Sequence, residues 1–227
     1  MHDLASSFVL GFHGCVDDVA RKLVLREESF RPSENSYDWL GHGIYFWLED
    51  PRRACAWAQR HVAGTGNGKP AVIGAVINLG RCLDLTTRAG IEAVRSGHEA
   101  LKAVFESGLT RRNIVVAGLD FLLPYFDDKG GRMPENRPAK PDDGDMLIRR
   151  LDCAVINMTC NILDEGPHPV DTVKGVFFEG GPAYEGAQIH ERTHTQICVR
   201  NAACIRGIFY PPQEDLGHDA KGCLKQA

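Results

Sequence analysis

Apolar and polar positions change their period along the chain, and these changes predict the order of its elements. The run FVLGFHGC is apolar and rich in strand-forming residues, so it predicts a first strand over residues 7–13. Apolar side chains at helical spacing follow at Val16, Val19, Ala20 and Leu23. The chain therefore begins with a strand followed by an amphipathic helix.

The pattern of apolar and polar residues predicts further strands and helices through the first third of the chain. HGIYFWLE predicts a second strand, and DPRRACAWAQRHVAG predicts a helix in which Asp50 is the N-cap and Pro51 the first helical residue. AVIGAVINLGRCLDLT is a continuous apolar run, which is typical of a strand covered on both faces. Strands and helices therefore alternate as far as about residue 85.

The middle and the end of the chain differ in character. RAGIEAVRSGHEALKAVFESG and MLIRRLDCAVINMTCNILDE have helical periodicity, and the polar, Gly- and Pro-rich residues 126–145 between them predict a long loop. VKGVFFEG, TQICVRN and IRGIFYPP predict strands, and residues 213–227 form a polar tail. We expect a single α+β domain over residues 1–227, with a helical insertion at about 86–173.

Composition narrows the class of protein. The chain is 43% hydrophobic and 25% charged with a net charge of −4, which is typical of a soluble globular protein and shows no overall basic charge for nucleic acid. No apolar run reaches the roughly 18–20 residues that span a bilayer, and the N-terminus does not have the pattern of a secretory signal. We expect a cytoplasmic protein without a membrane partner.

The eight cysteines contain no C-x-x-C pair. Most lie among apolar neighbours, as in CAVINMTC, so we expect reduced, buried thiols rather than disulfides. Zinc ligands normally come in close pairs, and for that reason we expect no metal site.

Three short segments that are far apart in sequence carry the functional signal. They are GFHG with His13 and Gly14, GHGIYF with Tyr45, and HTQICV with Gln196. Each alone is common at the end of a strand. Together they resemble the ADP-ribosyltransferase superfamily, in particular its poly(ADP-ribose) polymerase-like and diphtheria-toxin-like branch. The resemblance covers residues 8–85 and 174–210, and it includes the helix WLEDPRRACAWA and the strand AVIGAVINLGRCLDL.

The resemblance implies a fold and a set of roles. The fold would be α+β, with an ADP-ribosyltransferase-like split antiparallel β-sheet core and flanking helices. His13, Tyr45 and Gln196 would be the catalytic residues, and NAD would be the co-substrate, with no metal. His13 would contact a ribose hydroxyl, Gly14 the nicotinamide amide, and Tyr45 one face of the ring. Trp57 would cover the other face; strict register would place Ala56 there, but alanine offers no ring. Trp39 and Trp47 would then be packing residues.

Gln196 is the main departure from the family pattern, because polymer-forming members have glutamate there. An amide can hydrogen-bond a ribose hydroxyl, but it cannot act as a general base. This argues against polymer synthesis. Glu179, Glu185 and Glu191, in the loop before the strand, are alternative carboxylates, although each is also typical of a solvated loop. His194, two residues before Gln196, is either an acceptor contact or an exposed residue at the strand entry.

The resemblance therefore predicts an NAD-dependent mono-ADP-ribosyltransferase that acts on a protein or on RNA or DNA. Family members of this size are often toxins or defence effectors, which would imply an antitoxin or immunity partner. Two alternatives stay open, namely a catalytically silent module that binds NAD or ADP-ribose and an NAD glycohydrolase. Arginines and lysines in the insertion, interspersed with acids, suit either a phosphate-binding surface or a solvated one.

Overall fold

A computed structural model describes residues 7–140, 144–217 and 223. In these residues the helices are α1 (Asp17–Val24), α2 (Pro51–Thr65), α3 (Arg88–Glu106), α4 (Arg111–Val116) and α5 (Arg150–Asp164). The strands are β1 (Phe8–Val16), β2 (Ile44–Leu48), β3 (Pro70–Asn78), β4 (Cys82–Asp84), β5 (Phe126–Asp127), β6 (Gly130–Gly131), β7 (Asn136–Arg137), β8 (Ile148–Arg149), β9 (Thr172–Phe177), β10 (His194–Val199) and β11 (Ile205–Phe209).

The core of the fold is a seven-stranded sheet in the order β11-β3-β1-β2-β10-β9-β4. Neighbouring strands are antiparallel except β4, which runs parallel to β9. The predicted α+β class is therefore confirmed, but the sheet is mixed rather than wholly antiparallel. The insertion lies between β4 and β9 in the chain, and this long connection allows β9 to run beside β4 in the same direction.

Both faces of the sheet are covered, which explains the continuous apolar runs in its central strands. The face that we call the α1 face carries Phe46, Ile77 and Ile197 in one buried cluster, and α1 packs against its β1–β3 end. On the opposite face, the α2 face, Phe12 and Trp47 pack against α2. Farther along the α2 face, β9, β10 and β4 are covered by α3 and α5.

Helix α2 has the predicted start and packs directly against β1. The Asp50 carboxylate accepts a hydrogen bond from the Arg53 backbone N–H, and Pro51 is the first helical residue. Ala54 and Ala58 face β1, where a Cβ on Gly14 would overlap the Ala54 carbonyl oxygen. Small residues on both elements therefore set the distance between the helix and the strand.

The insertion has its own small core, formed by buried side chains of α3, α4, α5 and the 3₁₀ turn Asp120–Tyr125. The predicted loop at 126–145 is wrong in part. Strand β5 pairs with β6, and β7 pairs with β8, so two short ribbons lie within and beside that stretch. Residues 141–143 of the predicted loop lie outside the described residues.

The predicted tail is anchored at two described points. Leu216 and Cys223 are buried against α2, and Cys223 forms a disulfide with Cys55. The expectation of reduced thiols is therefore wrong for this pair, since their approach comes from tertiary packing across a sequence separation of 168 residues. It is confirmed for the other six cysteines, of which all but Cys82 are buried. Residues 218–222 and 224–227 of the predicted tail lie outside the described residues.

Candidate active site

The pairing between β1 and β2 is short, and the sheet opens beside the motif residues. The last pair along β1 is Phe12 with Trp47, whereas β1 stays in register with β3 as far as Val16. Residues 44–46 of β2 lie beyond this last pair and are hydrogen-bonded in register with β10. A gap therefore forms between β1 and β2 within an otherwise continuous sheet.

The backbone of Gly14 faces this gap. Successive residues of a strand direct their N–H and C=O groups alternately towards the two neighbouring strands. The Leu10 carbonyl accepts from the Glu49 N–H at 3.0 Å on the β2 side. Ser7 and Asp17 hydrogen-bond instead to residues that flank β3. Even-numbered residues therefore face β2, so the Gly14 donor and acceptor point to where β2 has separated from β1.

His13 replaces the missing ladder contact. If the register continued past Phe12 and Trp47, Gly14 would lie opposite Tyr45. Instead, the Nδ1 of His13 is 2.8 Å from the Tyr45 carbonyl oxygen. Since a carbonyl only accepts, Nδ1 carries the proton. The His13 side chain thereby satisfies the Tyr45 carbonyl and leaves the Gly14 backbone groups to face the gap.

The environment of His13 keeps its ring neutral. Burial lowers the pKa of His13 below its usual 6.5, against the opposing effect of the hydrogen bond to Tyr45. The ring lies on the α1 face, with its centroid 5.5 Å from that of Phe30 and 5.7 Å from that of Phe46. With Nδ1 protonated, Nε2 is an acceptor.

Tyr45 lies on the opposite, α2 face and is held by the turn before its strand. Its hydroxyl donates to the Gly41 carbonyl at 2.6 Å and accepts from the Leu40 N–H at 2.8 Å. Gly41 adopts a φ of 77° and Gly43 a φ of 155°, values that favour glycine. Burial raises the pKa of Tyr45 well above 10, so the phenol stays protonated. The Gly41-His42-Gly43 turn thus fixes the position of the Tyr45 ring.

Gln196 shares this face and is oriented by His194. Gln196 lies opposite Trp47 in the ladder, and Cys198 lies opposite Tyr45. The Nδ1 of His194 is 2.8 Å from the Arg192 carbonyl oxygen, so its Nε2 is an acceptor. The Gln196 amide nitrogen donates to that Nε2 at 2.9 Å. The amide oxygen of Gln196 is therefore the end that remains to accept from a ligand.

His194 is a buried support rather than an exposed residue. Only 5% of its surface is exposed, and both ring nitrogens are used within the fold. Burial lowers its pKa, against the raising effect of the hydrogen bond to the Arg192 carbonyl. The prediction of an exposed strand-entry residue is wrong, because the alternation of β10 turns position 194 to the same covered face as Gln196.

Trp47 and Trp57 lie together beside Gln196. Trp47 is buried, as expected for a packing residue, but its indole Nε1–H has no hydrogen-bond partner in the described part of the chain. Trp57 is 37% exposed on α2, with its ring 6.0 Å from Trp47 and stacked on His61 at 4.9 Å. The ring that Trp57 contacts on the sheet is therefore Trp47, two residues beyond Tyr45. The assignment of Trp57 to one side of the nicotinamide ring stays a prediction.

A buried ion pair joins α2 to the end of β9. Arg53 in the first turn of α2 binds Glu179, which is only 7% exposed. Both charges act on His194, and Arg53 also acts on Arg60, about two turns farther along the helix. Glu185 and Glu191, the other two candidate carboxylates, are exposed. Glu179 acts on His194, the partner of Gln196, but its charge is already balanced by Arg53.

The insertion reaches the edge of the same face. The Arg149 guanidinium lies 4.2 Å from the centroid of the Trp39 ring and 5.0 Å from that of Phe177. The Trp39 indole N–H donates to the Leu147 carbonyl at 3.0 Å. Trp39 is thus half-buried packing, as predicted, but its partners come from the insertion.

The structure places His13, Gly14, Tyr45 and Gln196 on three adjacent strands, β1, β2 and β10, whereas Trp57 lies on α2. Tyr45 and Gln196 share the α2 face, whereas the His13 ring lies on the α1 face and reaches Tyr45 through a backbone carbonyl. Sequence reasoning missed the unpartnered Trp47 indole and the support given by His194. Strand alternation was a usable signal for both, because each is two residues from a motif residue.

Comparison with known proteins found no matching family model, no matching curated sequence and no matching solved structure. Among the described residues there is no group of His, Cys, Asp or Glu side chains placed to hold a metal ion. No helix in that part of the chain is long and apolar enough to cross a bilayer.

Proposed function

We propose that the chain is an NAD-dependent mono-ADP-ribosyltransferase that releases nicotinamide. The observation that carries the proposal is the gap between β1 and β2, where the Gly14 N–H and C=O face outward between strands that bear His13 and Tyr45. If these residues served the fold alone, the Tyr45 carbonyl would be expected to bond to the Gly14 backbone, as in a regular ladder, and not to the His13 side chain.

A nicotinamide group suits this gap chemically. A carboxamide has one acceptor oxygen and an NH₂ donor, so it can bond to both backbone groups of Gly14 as the next strand would. Glycine suits close approach because it has no Cβ. The neutral Nε2 of His13 and the amide oxygen of Gln196 are acceptors for ribose hydroxyls. Trp47 adds an unpartnered donor on the same face as Gln196.

The chemistry that these residues support is transfer to a nucleophile that the acceptor brings. The glycosidic bond breaks with its electron pair on nicotinamide, and the acceptor bonds the anomeric carbon and loses its proton to solvent water. Gln196 positions the ribose but cannot take that proton, since an amide is not a base at neutral pH. This favours a single transfer by positioning over polymer synthesis.

The loop between β9 and β10 is the proposed place for the acceptor. Phe178, Tyr184 and Ile189 are exposed there, 59%, 65% and 60% respectively, beside the Gln196 end of the face. Such side chains suit contact with a macromolecule, either protein or nucleic acid. The resemblance to toxins and defence effectors extends the proposal to an antitoxin or immunity partner.

One observation favours a second candidate, a module that binds NAD or ADP-ribose without transfer. The catalytic glutamate position holds Gln196, and the nearby Glu179 is buried in a pair with Arg53. No free carboxylate is therefore presented beside Gln196 by either residue. A binding module needs the gap and the acceptors but no base.

Gln196→Ala is the most direct test. Tyr45 is a poorer choice than the sequence suggests, because its hydroxyl holds the 40–41 turn and its loss would disturb the fold. Nicotinamide release from NAD is measured by chromatography, and transfer of label from NAD is measured on RNA and protein of a cell lysate. We expect Gln196→Ala to lower transfer by about 10²-fold, as when one transition-state hydrogen bond is lost.

Gln188→Ala is the matched control, because Gln188 is an exposed residue of the preceding loop. Label on a macromolecule, lost in Gln196→Ala and kept in Gln188→Ala, supports the transferase. Free ADP-ribose without a labelled macromolecule identifies a glycohydrolase. NAD binding by calorimetry with no nicotinamide release identifies the silent module. Absence of both binding and release would sink the NAD proposal.

A further inference from the structure

A cavity separate from the candidate active site lies in the insertion. Its volume is about 750 Å³, and it opens between the β5–β6 ribbon, the segment before β7 and the start of α5. A volume of this size falls in the range of small-molecule sites, roughly 300–1,000 Å³. The proposed NAD site uses none of its lining residues.

Cationic side chains dominate the polar lining of this cavity. Lys129, Arg132, Arg137 and Arg150 line it, against two acids, Asp127 and Glu135. Four cations against two acids leave the lining with a net positive charge. The Asp127 carboxylate accepts from the backbone N–H groups of Lys129 and Gly130, at 2.7 and 3.1 Å, and so closes the ribbon turn. Glu135 is 3.9 Å from Arg132, and both are highly exposed, which makes their attraction weak.

Arg150 is the strongest indication of a ligand. Its Nε is buried and has no hydrogen-bond partner, and within the described ranges no carboxylate lies within ion-pair distance of its guanidinium. Its neighbour Arg149 is engaged with Trp39, Phe177 and Asp152 and faces the other way. A half-buried cation without a counter-charge is costly, so the fold is expected to gain when an anion enters the cavity.

We propose that this cavity binds a phosphate group through Arg150, Lys129, Arg132 and Arg137. The planar guanidinium of Arg150 can donate two parallel hydrogen bonds to phosphate oxygens, and the more exposed cations surround the remaining charge. The phosphate belongs either to a small ligand or to a nucleic-acid backbone. This site is independent of the proposed transferase activity.

Calorimetry with pyrophosphate and fluorescence anisotropy with a labelled single-stranded oligonucleotide separate the two sources. Both use the full chain and four variants: Arg150→Gln, Lys129→Gln, Arg95→Gln and Gln196→Ala. Arg95 is exposed on α3 and lies outside the cavity lining, so Arg95→Gln removes the same charge elsewhere. Gln196→Ala shows whether the measured binding depends on the proposed NAD site.

We expect Arg150→Gln to weaken binding by about tenfold to hundredfold, because charge-assisted hydrogen bonds are lost. Lys129→Gln should weaken it by a smaller factor, and Arg95→Gln and Gln196→Ala should leave it unchanged. Pyrophosphate binding with this pattern indicates a small phosphorylated ligand. Oligonucleotide binding alone, with the same pattern, indicates a strand backbone.

The thermal midpoint provides a second readout. Arg150→Gln removes an uncompensated charge, so without ligand its thermal midpoint should equal or exceed that of the parent chain. Added pyrophosphate or oligonucleotide should raise the thermal midpoint of the parent chain only. A midpoint that falls in Arg150→Gln would show a structural arginine and overturn the proposal. Binding that is absent for both probes, or equal in Arg150→Gln and the parent chain, would overturn it as well.

Discussion

Replacing Gly14 with alanine tests the packing of the fold and the proposed site together. A Cβ at position 14 overlaps the Ala54 carbonyl oxygen and comes within 3.2 Å of the Ala58 Cβ. Both obstacles belong to α2 itself, so no rotamer change relieves them. The helix must move by about 1 Å to restore ordinary contact distances. Overpacking of this kind costs about 1–3 kcal/mol.

That cost exceeds the roughly 0.5–1 kcal/mol that alanine gains over glycine in a regular strand. The net expectation is therefore a loss in the free energy of unfolding, with the chain still folded. Helix α2 also carries Arg53 and Trp57, which lie beside the proposed site. A misplacement of about 1 Å can lower a catalysed rate by about 10²-fold. We expect nicotinamide release by Gly14→Ala to fall by that factor.

The assay pairs urea unfolding with nicotinamide release, and Gly64→Ala is the control. Gly64 lies in the same helix, and a Cβ added there would have no neighbouring atom within 4 Å. Alanine at that position should therefore gain about 0.5–1 kcal/mol and keep the rate. An unchanged unfolding midpoint in Gly14→Ala would refute the packing argument. A lowered midpoint with a normal rate would refute the placement of the site.

Three further predictions concern stability. Cys223→Ser should lower the free energy of unfolding by about 5 kcal/mol under oxidising conditions, because the loop closed by the Cys55–Cys223 disulfide is long. In excess thiol reductant the variant and the parent protein should have the same stability. Equal stability before reduction would contradict this prediction. Glu179→Gln should cost about 3–5 kcal/mol because it leaves Arg53 buried and unpaired. Changing both residues to apolar ones of similar size should recover most of that loss, and urea midpoints that show no recovery would argue against the pair. Folding lowers the pKa of His194 below its usual value of 6.5. Below pH 6.5, the unfolded chain therefore binds more protons at this residue than the folded chain does. Stability should therefore be flat above that pH and fall as the pH drops below it, with a shallower fall in His194→Asn; urea midpoints that rise on acidification would exclude this assignment.

Local pattern was sufficient for most of the elements. The N-cap Asp50 and the first-turn Pro51 predicted the start of α2 because capping is decided within four residues. The first strand was predicted too short, since β1 runs to Val16. The apolar spacing around its last residues predicted the start of a helix. These residues form a strand because they pair with β3.

The candidate site was predictable in its strands but not in its contacts. His13, Tyr45 and Gln196 each fall on a strand, as the short β-prone runs predicted, but the adjacency of these strands is set by the order of the sheet. The partner of His13, a backbone carbonyl across the gap, has no sequence signal. The same is true of the pair between Arg53 and Glu179, which are 126 residues apart.

The sequence by itself determined the order of most helices and strands and the α+β class, and it singled out the candidate site residues. These features depend on periodicity and on neighbours within about one helical turn. The tertiary structure alone decided which residues meet. It set the early end of the β1–β2 ladder, the burial of His194, the Cys55–Cys223 disulfide and the cationic cavity of the insertion. Each of these depends on strand register and helix placement, which bring together residues that are distant in the chain and that no local pattern pairs.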